Sequence, residues 1–357
     1  VKGLSALGGY CGGTLLARVG PAVILWAGFL SGCGTLPSPG VKVSFGDPAL
    51  ESRVRALLSP RRPDGEALRG LEELLESHPG NVALAWALAD RAARAGREKE
   101  AEKAFASLPW PFREAALARL EAEKDPGRAL KRLKKILRKD PGFYPALYLE
   151  GRIYSQEGKW EKAQEALVAC LERAPRWPPA LFEAARVLAA RKKPREAASY
   201  LGRYLAFRPE DQEARLFRLR LFLSPGGDLS GARRELRRLK KSLPGDPRVR
   251  LMEGALRELE GKLRKAAEIY RSLLEVEDRD VRRRAAFNLG YLLMKKLGDP
   301  KGAYRAFQVF LSCPAGESLA DKVDLLRVRT WLLELKEKGA ALPEQKVPPG
   351  GKGRKSE

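Results

Sequence analysis

Residues 144–177 and 178–211 superimpose at a spacing of 34 residues, and the positions that coincide are small or bulky in the same order. Leu147 falls on Leu181, Gly151 on Ala185, Tyr154 on Leu188, Ala163 on Ala197, Leu167 on Leu201 and Pro175 on Pro209. A match at one period across two neighbours constrains the fold more than any single motif, because a chain built this way is an array of supersecondary units. Small residues let two packed segments approach closely, bulky residues fill the gap to the next unit, and proline stops the second segment. One unit cannot bury its apolar face alone, so the array needs several copies and a cap.

The frame recurs on both sides of this pair. Residues 48–80 form a degenerate first copy with Ala67, Leu71, Leu74 and Pro79, and 81–109 a short second with Ala89, Gly96, Ala101 and Phe105. Residues 110–143 precede the pair; 212–246, 247–280 and 281–315 follow it, the last with Leu289, Gly290, Ala303, Phe307 and Pro314. Copies six and eight need one extra residue, placed in the inter-helix turn at Gly226-Gly227-Asp228 and at Leu297-Gly298-Asp299-Pro300, where insertions cost least. This pattern resembles the tetratricopeptide repeat (TPR), a helix–turn–helix unit. The resemblance implies an all-α fold: a TPR-type α-solenoid of about eight hairpins over 48–315.

The cap is expected at 316–339. Ser318-Leu319-Ala320-Asp321 is a capping-box pattern, followed by an apolar stripe of Leu319, Val323, Leu326 and Leu333 that ends near Gly339. The Pro/Gly/Lys-rich tail 340–357 is expected to be disordered. Four cysteines, Cys11, Cys33, Cys170 and Cys313, show no metal-ligand spacing. Repeats of a solenoid touch only their neighbours, so Cys170 and Cys313 are not expected to pair; Cys170 is a buried small hydrophobe. The single histidine, His78, stands at a helix end.

Residues 1–33 carry Lys2 and Arg18, no acidic residue, and an apolar run Val19–Leu30 ending in Leu30-Ser31-Gly32-Cys33. The run is too short to span a bilayer and suits a signal peptide. Leu-Ser-Gly-Cys resembles the bacterial lipoprotein box, which implies diacylglycerol attachment at Cys33 and a lipid-anchored, exported protein. The alternative is an ordinary cleaved signal. Gly34 after the cysteine favours, by the same resemblance, the outer membrane facing the periplasm in a Gram-negative cell. Residues 34–47 form a Gly/Pro/Ser-bearing tether, and Asp47-Pro48 starts the first helix.

In the TPR family the first helix of each hairpin lines the concave face. The resemblance places position five of each repeat in that groove: Trp86, Glu114, Tyr148, Phe182, Leu216, Leu251 and Phe287. Position nine adds Asp90, Ala118, Arg152, Arg186, Arg220, Ala255 and Tyr291. The partner-binding groove is therefore assigned to Trp86, Tyr148, Arg152, Phe182, Arg186, Leu216, Arg220, Phe287 and Tyr291. Aromatic and arginine side chains dominate binding hot spots, and successive arginines suit an extended segment with carboxylates; the alternative for position five is local packing. The Lys and Asn positions of the carboxylate clamp are not reproduced.

The net charge of +23 points to acidic partners or an anionic surface. Two helices concentrate it: Arg128, Lys131, Arg132, Lys134, Lys135, Arg138 and Lys139 on one; Arg233, Arg234, Arg237, Arg238, Lys240 and Lys241 on another. These are either solvated outward faces or contacts for lipid headgroups or anionic polysaccharide. An export signal argues against nucleic acid. No nucleophile elbow, phosphate loop or paired metal ligands occur, so the expectation is a non-enzyme without cofactor or metal. The expected role is a lipid-anchored scaffold that holds a protein partner in an envelope assembly or secretion complex, as in lipoproteins of outer-membrane assembly, pilus secretion and polysaccharide export, which it resembles. Its alternative is an anionic polysaccharide or headgroup binder.

Overall fold

The computed structural model describes residues 48–59, 62–79, 81–106, 108–313, 319–337 and 339. Cys11 and Cys33, the expected signal and lipoprotein box, the tether 34–47 and the tail 340–357 lie outside these residues. Among them no strand occurs, and no helix is long and apolar enough to cross a membrane.

Helices α1 (Pro48–Leu57) and α2 (Asp64–Ser77) make the first hairpin, and α3 (Val82–Ala95) and α4 (Glu98–Phe105) the second. Helices α5 (Phe112–Glu121) and α6 (Pro126–Lys139), α7 (Tyr144–Gln156) and α8 (Trp160–Arg173), and α9 (Pro178–Ala190) and α10 (Pro194–Phe207) follow in the same pattern. Next come α11 (Gln212–Leu223), α12 (Leu229–Ser242), α13 (Pro247–Leu259), α14 (Leu263–Ser272), α15 (Arg279–Leu292) and α16 (Pro300–Ser312), then a single helix α17 (Leu319–Glu337). The fold class is all-α, in tandem helix–turn–helix units. They divide into two compact units, one taking in Thr35–Phe222 and Gly226–Glu235, the other Leu223–Pro225 and Leu236–Glu357, so far as these are described.

Helix starts follow from local chemistry. Asp125, Asp246 and Asp299 each accept a backbone N–H of the first turn, and each is followed by a proline that needs no hydrogen-bond partner there. Most turns inside hairpins use a glycine in the left-handed region, as at Gly158 (φ 72°) and Gly261 (φ 75°). In the fifth hairpin Lys192 takes that conformation instead, at φ 60°.

Close approach inside several hairpins is set by a small residue on the first helix against a large one on the second, and in the first and sixth by the reverse, Gly70 against Leu57 and Gly231 against Phe222. A Cβ on Gly151 would lie 2.7 Å from Leu167 Cγ, and one on Gly254 would lie 2.5 Å from Tyr270 Cε1. At Gly290 it would enter the ring of Phe307, which is fully buried in the core of the second unit. In the fifth hairpin Ala185 and Leu201, both fully buried, hold the same two places. The first unit has a separate cluster running from Leu50 and Val54 through Leu71, Leu88 and Phe105 to Leu120.

Three expectations are corrected. The extra residue of the eighth repeat is not in the turn: Leu293–Leu297 forms a π-helical end to α15, closed by Gly298 at φ 67°. A π turn adds one residue to the helix without lengthening the connection. The stripe expected to seat the cap is its outer face, since Leu326 is 67% and Leu333 65% exposed and Val323 is exposed too. Instead Val328 and Leu335 are buried, with Leu325, Trp331 and Leu332 packed on the same core. The Trp331 ring sets this register, lying 5.5 Å from Phe307, 5.8 Å from Phe287 and 5.6 Å from Tyr291. Finally, contacts are not confined to neighbouring repeats: Trp86 of the second hairpin stacks on Tyr148 of the fourth, with ring centroids 5.6 Å apart. The α5 helix between them is short, and its Ala115, Ala116 and Ala118 are fully buried, so small side chains leave room for the two rings to meet.

Cys170 is fully buried, and burial alone pushes its thiol up to about 12. Cys313, buried at the end of α16, is likewise a free thiol.

The glycine contacts give a direct prediction. Gly290→Ala forces the Phe307 ring to move and should lower unfolding stability by about 1–3 kcal/mol in a denaturant titration, although alanine is the better helix former.

Candidate functional site

The first helices α3, α5, α7 and α9 pack against one another in series within the first unit. Their inner side carries a polar cluster enclosed by aromatic rings. Trp86 is completely buried and its Nε1–H has no hydrogen-bond partner. It contacts Tyr148 and, at 5.9 Å, Trp177, whose ring also lies edge-on to Tyr148 at 4.8 Å.

One helical turn after Tyr148 stands Arg152, 7% exposed. Its guanidinium makes no hydrogen bond or ion pair with any described residue. Burial opposes its charge, but the phenol of Tyr148 and the carboxylates of Asp90 and Glu183 outweigh it and hold the pKa above the ordinary value. The charge is thus stabilised by the field of nearby acids while its N–H groups have no partner.

The acids are themselves engaged. Asp90 pairs with Arg119, a residue 4% exposed whose Nε has no hydrogen-bond partner. Glu183, 5% exposed, accepts from Ser155 Oγ at 2.7 Å and from Arg186 Nη1 at 2.8 Å. Arg186 keeps about a third of its side chain in solvent. Arg220 is partly buried on α11.

The position-five side chains are packed in this structure. Trp86, Tyr148, Leu216, Leu251 and Phe287 are all buried, because the bulky residue at this place fills the space between consecutive first helices. Phe182 is partly buried against Tyr204 at 5.2 Å and Phe217 at 6.2 Å. Glu114 is taken by Arg132 at 2.7 Å. Phe287 and Tyr291 belong to the second unit, where both pack on Trp331. Position nine carries Asp90, Arg152 and Arg186: Asp90 pairs with Arg119, Arg186 with Glu183, and both acids act on Arg152 through their field.

Sequence reasoning missed Glu183, Arg119, Ser155 and Trp177. Glu183 had a signal, since an acid three residues before Arg186 on one helix is a standing ion pair. Arg119 had none, because its partner is 29 positions away in the sequence.

The basic helices are less free than their composition implies. Arg132 bonds Glu114 and Glu121, and Arg128 bonds Glu121. On α12, Glu235 is buried and receives Arg215 and Arg218, while Lys240 pairs with Glu253. Lys131, Lys134, Lys135, Arg138 and Lys139 stay exposed on α6.

Residues 120–186 match the tetratricopeptide repeat family. A solved tetratricopeptide repeat protein from Parabacteroides merdae ATCC 43184 is 17% identical, with 74% of this chain and 98% of that chain covered and a TM-score of 0.45. Yeast Tom70 is 15% identical over 89% of this chain and 70% of its own, with a TM-score of 0.43. PilW, a type IV pilus biogenesis factor, is 17% identical over 57% of this chain and 97% of its own, with a TM-score of 0.38. No curated protein matches.

The cluster predicts an asymmetry between partners of one ion pair. Glu183→Ala leaves Ser155 without its buried acceptor and removes a carboxylate that balances Arg152, and should cost about 2–4 kcal/mol in urea unfolding. Arg186→Ala, on the solvent side of the same pair, should cost no more than about 1 kcal/mol.

Proposed function

Because residues 120–186 are tetratricopeptide repeats, we propose that the chain is a protein-binding scaffold whose inner side takes an extended segment of a partner bearing carboxylates. One observation carries this reading: Arg152 is a buried arginine with no hydrogen bond to any described residue, one turn after Tyr148, which stacks on Trp86. Its N–H groups are donors and call for acceptor oxygens. A carboxylate or a run of peptide carbonyls would supply them, with Arg186 and Arg220 continuing the positive row. The net charge of +23 favours an acidic partner at long range.

The scaffold reading extends to place. The lipoprotein-box residues Leu30-Ser31-Gly32-Cys33 support lipidation at Cys33 and a scaffold tethered to the envelope, at the periplasmic face of the outer membrane in a Gram-negative cell. Its role there is to hold a partner within an assembly or secretion complex. The sequence holds no set of residues for catalysis, which supports a binding rather than an enzymatic role.

Two experiments test these parts separately. Arrayed extended peptides with spaced Asp and Glu should bind the full chain, and Arg152→Met, Arg186→Met and Arg220→Met together should weaken that binding about tenfold or more. Equal binding by parent and variant would sink the inner-side reading. Cys33→Ser should move the expressed protein from the membrane fraction to the soluble fraction; retention on the membrane would remove the lipid anchor.

A further inference from the structure

The junctions from the third hairpin to the sixth each carry an aromatic and a basic residue: Lys139 with Phe143, Arg176 with Trp177, and Phe207 with Arg208. In a stack of hairpins these junctions share one edge, and named contacts tie them together here. Lys139 Nζ lies 5.3 Å from the ring centroid of Trp110, and Phe112 meets Phe143 edge-on at 5.6 Å. Tyr144 meets Trp177 edge-on at 4.9 Å. Arg203, one turn before Phe207 on α10, donates to the carbonyl of Pro175 at 2.8 Å.

Along this edge large apolar side chains stand in water. Trp110 is 48% exposed, Phe207 42% and Tyr144 39%. Between them lie Arg138, Lys139, Arg173 and Arg176, all exposed, and none forms an ion pair among the described residues. Exposed acids on the same edge are Glu172, Glu210 and Glu213. The edge is therefore both cationic and apolar, unlike the outward face of α12, whose exposed side chains are cationic alone.

We propose that this edge is a docking rim for an anionic phospholipid bilayer. Trp110, Tyr144 and Phe207 would sit at headgroup level, and the four cations would meet the phosphates. Half-exposed aromatic rings alternating with long basic side chains suit an interface whose depth runs from polar to apolar. A site for a soluble polyanion needs the cations but not an exposed tryptophan ring. The rim does not depend on lipidation at Cys33; it fixes which edge of the first unit faces the lipid.

Flotation of the full chain on phosphatidylcholine vesicles, with and without phosphatidylglycerol, tests the rim, because any contribution of residues 1–33 is shared by parent and variants. The parent should favour phosphatidylglycerol vesicles by about tenfold or more, and added salt should reduce that preference. Lys139→Glu, Arg173→Glu and Arg176→Glu together should abolish it. Arg234→Glu, Arg237→Glu and Lys241→Glu, an equal change in charge on α12, should leave it. Trp110→Ser with Phe207→Ser should weaken vesicle binding several-fold without changing retention on dextran sulfate. Circular dichroism checks that each variant is folded, and Arg176→Glu alone, at a turn, replaces the rim triple if that unfolds. The proposal is overturned if the parent shows no lipid preference, or if the preference survives the rim changes or falls equally with those on α12. Aromatic substitutions that leave vesicle binding untouched would also overturn it.

Discussion

Everything in this structure is built on the close fit of a small residue on one helix against a large one on the next. Gly151 on Leu167, Gly254 on Tyr270 and Gly290 on Phe307 bring the helices of a hairpin together until a single methyl group would not fit. The fit does two things at once. It excludes water along the hairpin seam, and it fixes how far each hairpin is turned relative to the next, because packed interiors deform little. The first helices then line one side in series, so that any polar side chain they carry at the ninth position is forced into a crowded, poorly solvated row. Arg152, Asp90 and Arg186 are polar because of what they do there, not because that place is wet.

That row explains why the arginines of the sequence are not simply a positive stripe. A buried cation must be compensated, and here compensation comes from Asp90 and Glu183 through field as well as contact. Glu183 is tied to Ser155 and Arg186, and Asp90 to Arg119. The arginine between them is left with charge balance but without hydrogen bonds. Charge and hydrogen bonding are separate requirements, and at Arg152 only the first is met within the protein.

How much of this was legible follows from which interactions are local. The period and the small-against-large positions, such as Gly151 against Leu167 and Gly290 against Phe307, are each written within one repeat, and the structure has them where the sequence places them. The face of the cap was not legible. Two apolar stripes run along α17, and only the three-dimensional position of Phe287 and Phe307 shows that Trp331, not Leu326, meets the core. The burial of position five was hidden for the same reason: an aromatic that packs and an aromatic that binds have one spelling. The inserted residue before Gly298 was seen as surplus, yet its π-helical form depends on how α15 and α16 must line up.

The stacking of Trp86 on Tyr148 has a mechanical side. Repeat arrays whose units touch only their neighbours extend like springs, each coil opening a little under load. In the first unit, rings from the second and fourth hairpins are in contact across the third, worth about 0.5–1.5 kcal/mol beyond the area they bury. The coil is clasped at that point. Tension applied along the hairpins would be carried rigidly up to the force that parts the two rings, and the third hairpin would feel no strain until then.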